Sequence, residues 1–263
     1  MIQNLNKQVF GKPSKHATLL IAHGLFGSGR NWRAIANRLS RDRQVITVDM
    51  RNHGDSFWSN SHSYADMASD LASMVGQIGG PVDVLGHSMG GKAAMFLALQ
   101  NPTNMNRLIV ADIAPVTYTH SQMPNIKIMQ NIEISQFTRR SEIENAINEH
   151  LNDAATSAFL AQNFIISEQG NSWKINLKAL AYNMDKIMGF PNVSTTFHND
   201  TIFIIGNNSD YVQAKHYNEV DRLFPNHKIH SIKGAGHWVH AEAPREFIQT
   251  VIDFLNHPIA KLT

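Results

Sequence analysis

Short, wholly apolar runs alternate along this chain with longer stretches in which apolar residues recur every three or four positions. The alternation predicts strands and helices in turn. Thr18-Leu-Leu-Ile-Ala22, Gln44-Val-Ile-Thr-Val48, Val82-Asp-Val-Leu85, Arg107-Leu-Ile-Val-Ala111 and Thr201-Ile-Phe-Ile-Ile205 read as strands, and Lys228-Ile-His-Ser-Ile232 as the last one. Continuous apolar runs suit strands covered on both faces of a parallel sheet. Leu5 to Phe10 is a weaker edge strand ending at Gly11-Lys-Pro13. Helices are expected at Asn31–Leu39, Ser63–Ile78, Lys92–Leu99, Tyr211–Leu223 and Ala243–Asn256. In the second of these, Tyr64, Met67, Leu71, Met74, Val75 and Ile78 share one face, so its methionines are core residues and not metal ligands. Gly79-Gly80-Pro81 stops that helix. The expected fold class is α/β, a mostly parallel sheet flanked by helices.

From about Thr117 to about Thr196 the strand rhythm disappears. Residues 125–133, 141–151 and 156–164 look helical, Ser172–Leu177 turns back briefly, and Lys178–Met188 resumes a helix. We expect a mostly helical cap over 117–196, inserted in an α/β core of residues 1–116 and 197–263. Such a lid shapes a site and excludes water. Phe137, Phe159, Phe164, Trp173 and Phe190 either line a pocket beneath it or pack the cap itself.

Composition narrows the functional classes. With 263 residues there is room for one large core and one insertion. Lys and Arg total 23 against 21 Asp and Glu, so the charge balance argues for neither a nucleic-acid nor a membrane-surface partner. Cysteine is absent, which excludes disulfides, thiolate catalysis and Cys-based metal sites. The N-terminal stretch Met1 to Gln8 has no apolar run like a signal peptide, and no segment is long enough to insert stably in a bilayer. The expectation is a cytoplasmic protein.

Chemistry concentrates at Gly86-His87-Ser88-Met89-Gly90-Gly91, where a short apolar strand meets a small-residue helix. This is the G-x-S-x-G nucleophile elbow in its strand–turn–helix context. It offers Ser88 as a nucleophile on a strained turn; the alternative is a tight turn whose serine merely caps the helix. His23-Gly24-Leu25-Phe26-Gly27-Ser28 follows the second strand. In elbow hydrolases, the residue after such a His-Gly pair and the residue after the nucleophile supply the oxyanion-binding amides, here Leu25 and Met89. His23 and His53, the latter within Arg51-Asn52-His53-Gly54, are better suited to structuring loops than to moving protons. His237, in Gly234-Ala-Gly-His237-Trp238 after the last strand, sits where a base must reach back to the serine. Two aspartates follow strands and so qualify as the acid, Asp112 and Asp210. His240 and Glu242 stand near His237, but no further ligand pattern supports a metal, and none is expected.

Taken together, His23-Gly-Leu-Phe-Gly-Ser, Asp49-Met-Arg-Asn-His-Gly, Gly86-His-Ser-Met-Gly-Gly-Lys, Asp112-Ile-Ala-Pro and Gly234-Ala-Gly-His-Trp-Val-His-Ala-Glu resemble the α/β-hydrolase esterases of the bacterial YbfF type. The resemblance covers the core motifs and is looser in the cap. It implies a serine esterase or thioesterase acting on a small-molecule acyl ester, with acyl-CoA among the candidates, through an acyl-enzyme and with no cofactor. It also implies Asp112 as the triad acid; Asp210 after Asn-Ser departs from that pattern and stands as the alternative. Pocket residues are expected among Phe26, Trp238, Phe159 and Trp173. Two other readings keep the fold: a C–C bond hydrolase or lactonase, and a non-catalytic binding protein.

Overall fold

The apolar runs become strands of one sheet in the computed structural model, which describes residues 4–257. Residues 1–3 and 258–263, the outer ends of the N-terminal stretch and of the two expected core segments, lie outside the described residues. In chain order the strands are β1 (Lys7–Phe10), β2 (Thr18–Ala22), β3 (Val45–Val48), β4 (Val82–His87), β5 (Met105–Ala111), β6 (Phe164–Ile165), β7 (Ser172–Trp173), β8 (Thr201–Gly206) and β9 (His227–Ile232). Seven of them pair in the order β1-β3-β2-β4-β5-β8-β9, parallel throughout except for β1. The half-exposed, alternating β1 takes the edge, whereas every position of β4 and β8 is buried.

Side chains of a strand point alternately to the two faces. Leu20 and Ala22 of β2 therefore join one core layer while Leu19 and Ile21 join the other. The first layer packs against α2 (Tyr64–Ile78) and α3 (Met89–Gln100); the second packs against α1 (Arg33–Leu39) and α11 (Pro244–Asn256). Ser63 caps α2 by accepting from the Asp66 amide, and the Asp66 carboxylate reaches back to the Ser63 amide.

Between β5 and β8 lie α4 (Met123–Asn131), α5 (Arg140–Leu151), α6 (Ala154–Ala161), α7 (Leu177–Tyr182) and α8 (Met184–Met188), with the antiparallel pair β6 and β7. Three expectations change, two in this segment and one after β8. The helix expected over 156–164 ends at Ala161, and Phe164 instead pairs with Trp173 across the short hairpin. Residues 178–188 break into two helices at Asn183, whose side-chain amide donates to the carbonyls of Ala179 and Asn60. Tyr211–Leu223 is not one helix: a 3₁₀ turn over Ala214–His216 leads into α9 (Tyr217–Leu223), leaving Tyr211 in a loop. The last short helix, α10 (Val239–Glu242), follows the turn that carries His237.

Candidate active site

β4 ends at His87 and α3 begins at Met89, so Ser88 alone makes the turn. Its φ of 51° and ψ of −120° put a non-glycine residue in a region L side chains rarely adopt. Surrounding structure holds it there: the Ser88 amide donates to the Ala111 carbonyl at 3.1 Å, and its own carbonyl accepts from the Lys92 amide at 3.0 Å. Close approach requires glycine at two positions. A Cβ on Gly90 would lie 2.5 Å from the carbonyl oxygens of Ala22 and His23, and one on Gly24 would lie 2.8 Å from His87 Nδ1. The elbow and the loop after β2 are thereby pressed together.

The Ser88 Oγ lies 3.0 Å from His237 Nε2, and His237 Nδ1 donates to Asp112 Oδ2 at 2.7 Å. Asp112 is fully buried and also has a positive φ, 49°. Its Oδ1 accepts from the Gly206 amide at 2.9 Å and its Oδ2 from the Ser209 hydroxyl at 2.5 Å. With His237, three donors thus reach its two oxygens, which keeps the carboxylate in one orientation. Asp210, the alternative acid, is exposed and accepts from the Gln213 side chain instead.

His237 sits in a turn that Glu242 closes from below. One carboxylate oxygen accepts from the Gly236 amide at 2.7 Å and the other from the Trp238 amide at 3.1 Å, one on each side of the histidine. The His237 carbonyl accepts from His87 Nε2 at 2.9 Å. Among the described residues no group of three His, Cys, Asp or Glu side chains is arranged to hold a metal ion. His240 stacks on Trp32, with centroids 4.2 Å apart. Burial pushes the His240 imidazolium down to about 3, helped by the neighbouring His237, and holds His87 well below the usual range. A neutral His87 ring therefore lies beside His237, with centroids 4.8 Å apart. Sequence reasoning had not singled out His87, Ser209, Tyr211 or Lys92. His87 at least lies inside the elbow motif.

The loop after β2 is fixed by buried histidines. His23 Nδ1 donates to the Gly24 carbonyl at 2.8 Å, and its Nε2 accepts from the Met50 amide at 2.9 Å. His53 Nδ1 donates to the Arg51 carbonyl, and its Nε2 accepts from the Phe26 amide at 3.2 Å. Desolvation lowers both, so the neutral tautomers these bonds require are the stable forms. Phe26, at φ 64°, has spent its amide on His53. The Leu25 amide meets no acceptor among the described residues. Met89 is the first residue of α3, where a helix leaves its N–H without an intrahelical partner.

A cavity of about 450 Å³ opens over Ser88. Phe26 and Trp238 line it from the core, Phe159 and Leu160 from α6, and Lys92 and Tyr118 line it as well. Phe159 and Trp238 meet across it with centroids 5.5 Å apart. Trp173, expected at the pocket, does not line it; the ring packs edge-on against Phe164 in the hairpin. Phe190 likewise packs away from it, against Tyr64 and Phe96. Lys92 is almost completely buried, and among the described residues it has no carboxylate partner. Its Nζ donates to the carbonyls of Met188 at 3.0 Å and Gly189 at 2.6 Å, and it lies 4.6 Å above the Tyr118 ring. Among the described residues no helix is long and apolar enough to cross a membrane.

Residues 17–244 match the alpha/beta hydrolase fold family. The chain is 40% identical over 246 residues to the mouse sn-1-specific diacylglycerol lipase ABHD11, covering 90% of this chain and 80% of that protein. It is 33% identical to esterase YbfF of Escherichia coli K12, covering 96% and 98% of the two chains. Among solved structures, a marine microorganism esterase superposes with a TM-score of 0.91 at 36% identity, covering 96% of this chain and all of the other.

Proposed function

The chain belongs to the alpha/beta hydrolase fold family, a family of hydrolases with esterases and lipases among its members, and from that premise we propose that it is a serine carboxylic ester hydrolase working through Ser88, His237 and Asp112. The observation that carries this reading is the unbroken line from the buried Asp112 carboxylate through His237 to the Ser88 hydroxyl, with steps of 2.7 and 3.0 Å. His237 takes the Ser88 proton as Oγ attacks the ester carbonyl. The developing oxyanion is received by the Leu25 and Met89 amides, each stabilising the transition state by about 3 kcal/mol. His237 passes the proton to the leaving alcohol. It then activates a water that releases the acid from the acyl-enzyme and restores the serine. Asp112 keeps Nδ1 protonated, so that Nε2 is the basic nitrogen, and stabilises the imidazolium.

Acyl-CoA thioesters fall within the proposed substrate class, because the same acyl-enzyme forms whether oxygen or sulfur leaves. The cavity walls shape the acyl site, and residues 117–196 act as a cap over it: Phe159 and Leu160 face the cavity from that segment. Replacing Ser88 by alanine is expected to abolish ester hydrolysis with an unchanged circular dichroism spectrum, and a fluorophosphonate probe should label Ser88 alone. Wild-type turnover by the folded variant refutes the mechanism. Inactivity on nitrophenyl esters alongside activity on ring-cleavage diketones or lactones transfers the chain to those reactions.

A further inference from the structure

The loop after β8 brings Tyr211 flat onto the His237 imidazole, with ring centroids 3.8 Å apart and planes 16° from parallel. Nothing in the serine mechanism requires this contact. Resting on the reading of His237 as the general base, we propose that Tyr211 is a positioning residue for that base, holding the plane of its ring and stabilising it when it carries the proton.

Two physical arguments support it. Rotation about the Cβ–Cγ bond of histidine is a broad torsion with no sharp wells. Hydrogen bonds hold the ring at its two nitrogens, Nδ1 to Asp112 and Nε2 to Ser88; a stacked ring adds a restraint on the plane itself. The second argument is electrostatic. An aromatic face is negative and attracts a cation above it. The imidazole is neutral before the attack and cationic in the tetrahedral states, so this attraction strengthens as the barrier is climbed, which is what a rate effect requires.

Tyr211 lines the cavity beside His237 and is anchored at its backbone and at its hydroxyl. Its carbonyl accepts from the Tyr118 hydroxyl at 2.6 Å, and its amide donates to Ser209 Oγ at 3.3 Å. That same Ser209 hydroxyl donates to Asp112 Oδ2, the oxygen that receives His237. The Tyr211 hydroxyl meets His120 Nε2 at 3.1 Å and Gln122 Nε2 at 3.4 Å, both just before α4. One loop therefore fixes the acid, the face of the base and the start of the inserted segment together.

The test compares Tyr211→Leu, Tyr211→Phe and Tyr211→Trp on p-nitrophenyl acetate, an ester too small to need the cavity walls. Tyr211→Leu is expected to lower kcat about tenfold with KM within about twofold. The rate of fluorophosphonate labelling at Ser88 should fall in parallel. Tyr211→Phe and Tyr211→Trp, which keep a flat ring, should restore most of kcat. In the wild type, the imidazole C–H proton resonance of His237 should be displaced upfield by the stacked ring, a displacement kept in Tyr211→Phe and lost in Tyr211→Leu. Equal activity of all four proteins, equal impairment of Phe and Leu, or an undisplaced wild-type resonance each overturn the proposal. Should Tyr211→Leu fail to fold, the ring-keeping variants and the wild-type resonance still decide it. Failure of the probe to label Ser88 in the wild type would instead remove the esterase reading beneath it.

Discussion

Asp112 and Asp210 both follow strands of the sheet, yet only Asp112 has its carboxylate against His237 Nδ1. Asp112 leaves β5 with a positive φ that turns its side chain across the end of β8. A strained non-glycine conformation of this kind costs of order 1–3 kcal/mol and persists where surrounding contacts over-determine it. The Gly206 amide, the Ser209 hydroxyl and His237 are those contacts. Asp112→Asn is accordingly expected to lower kcat by roughly four orders of magnitude. Asp210→Asn, at an exposed position whose carboxylate serves Gln213, should leave kcat nearly unchanged. The opposite ranking on one ester would assign the role to Asp210.

Among the elements, α3 and α8 are joined in an unusual way. Lys92, one turn beyond the nucleophile, donates to two carbonyls at the C-terminal end of α8, and the Tyr64 hydroxyl donates to the preceding carbonyl, Ile187, at 2.6 Å. A cation at a helix C-terminus is favoured by the helix dipole, but burial opposes the charge and lowers Lys92 to about 7. Between pH 7 and the ordinary lysine value of 10.5 the unfolded chain therefore holds a proton that the folded chain has lost. Stability contributed by this group must rise with pH across that window. Lys92→Met lacks the titration, so the melting temperature of the wild type should gain on that of the variant from pH 7 to pH 10. Parallel curves for the two proteins would place the lysine's titration outside this range.

Across the whole molecule, the cavity lies at the seam between the sheet's carboxyl ends and the segment inserted after β5. Phe159 from the inserted segment and Trp238 from the core meet across it. Removing either ring lengthens the space available to an acyl chain. Phe159→Ala and Trp238→Ala are expected to move the optimum of a nitrophenyl ester series toward longer acyl groups. Trp173→Ala should cost roughly 1–3 kcal/mol of stability and leave that optimum in place, since its ring packs on Phe164 outside the cavity. A shifted optimum in Trp173→Ala with none in the other two variants would contradict this assignment.

What the sequence determined by itself was everything carried by short-range pattern. Unbroken apolar runs specified buried strands, three- and four-residue spacing specified the α2 face, and glycines around one serine specified the elbow. Together these made an α/β class and the elbow serine legible, the turns after strands offered His237, Asp112 and Asp210, and the hydrolase family came from the resemblance of five motifs. Tertiary structure alone decided which candidates meet. Asp112 and His237 lie 125 residues apart and touch because β5, β8 and β9 run parallel side by side, so the loops after them share one end of the sheet. The same holds for Trp238 facing the cavity while Trp173 does not, for Tyr211 reaching His237 from a loop that looked helical, and for Lys92 finding α8. Periodicity reports which way a residue points within its own element. The distance between side chains on different elements is set by strand order and packing, and a local pattern carries no information about either.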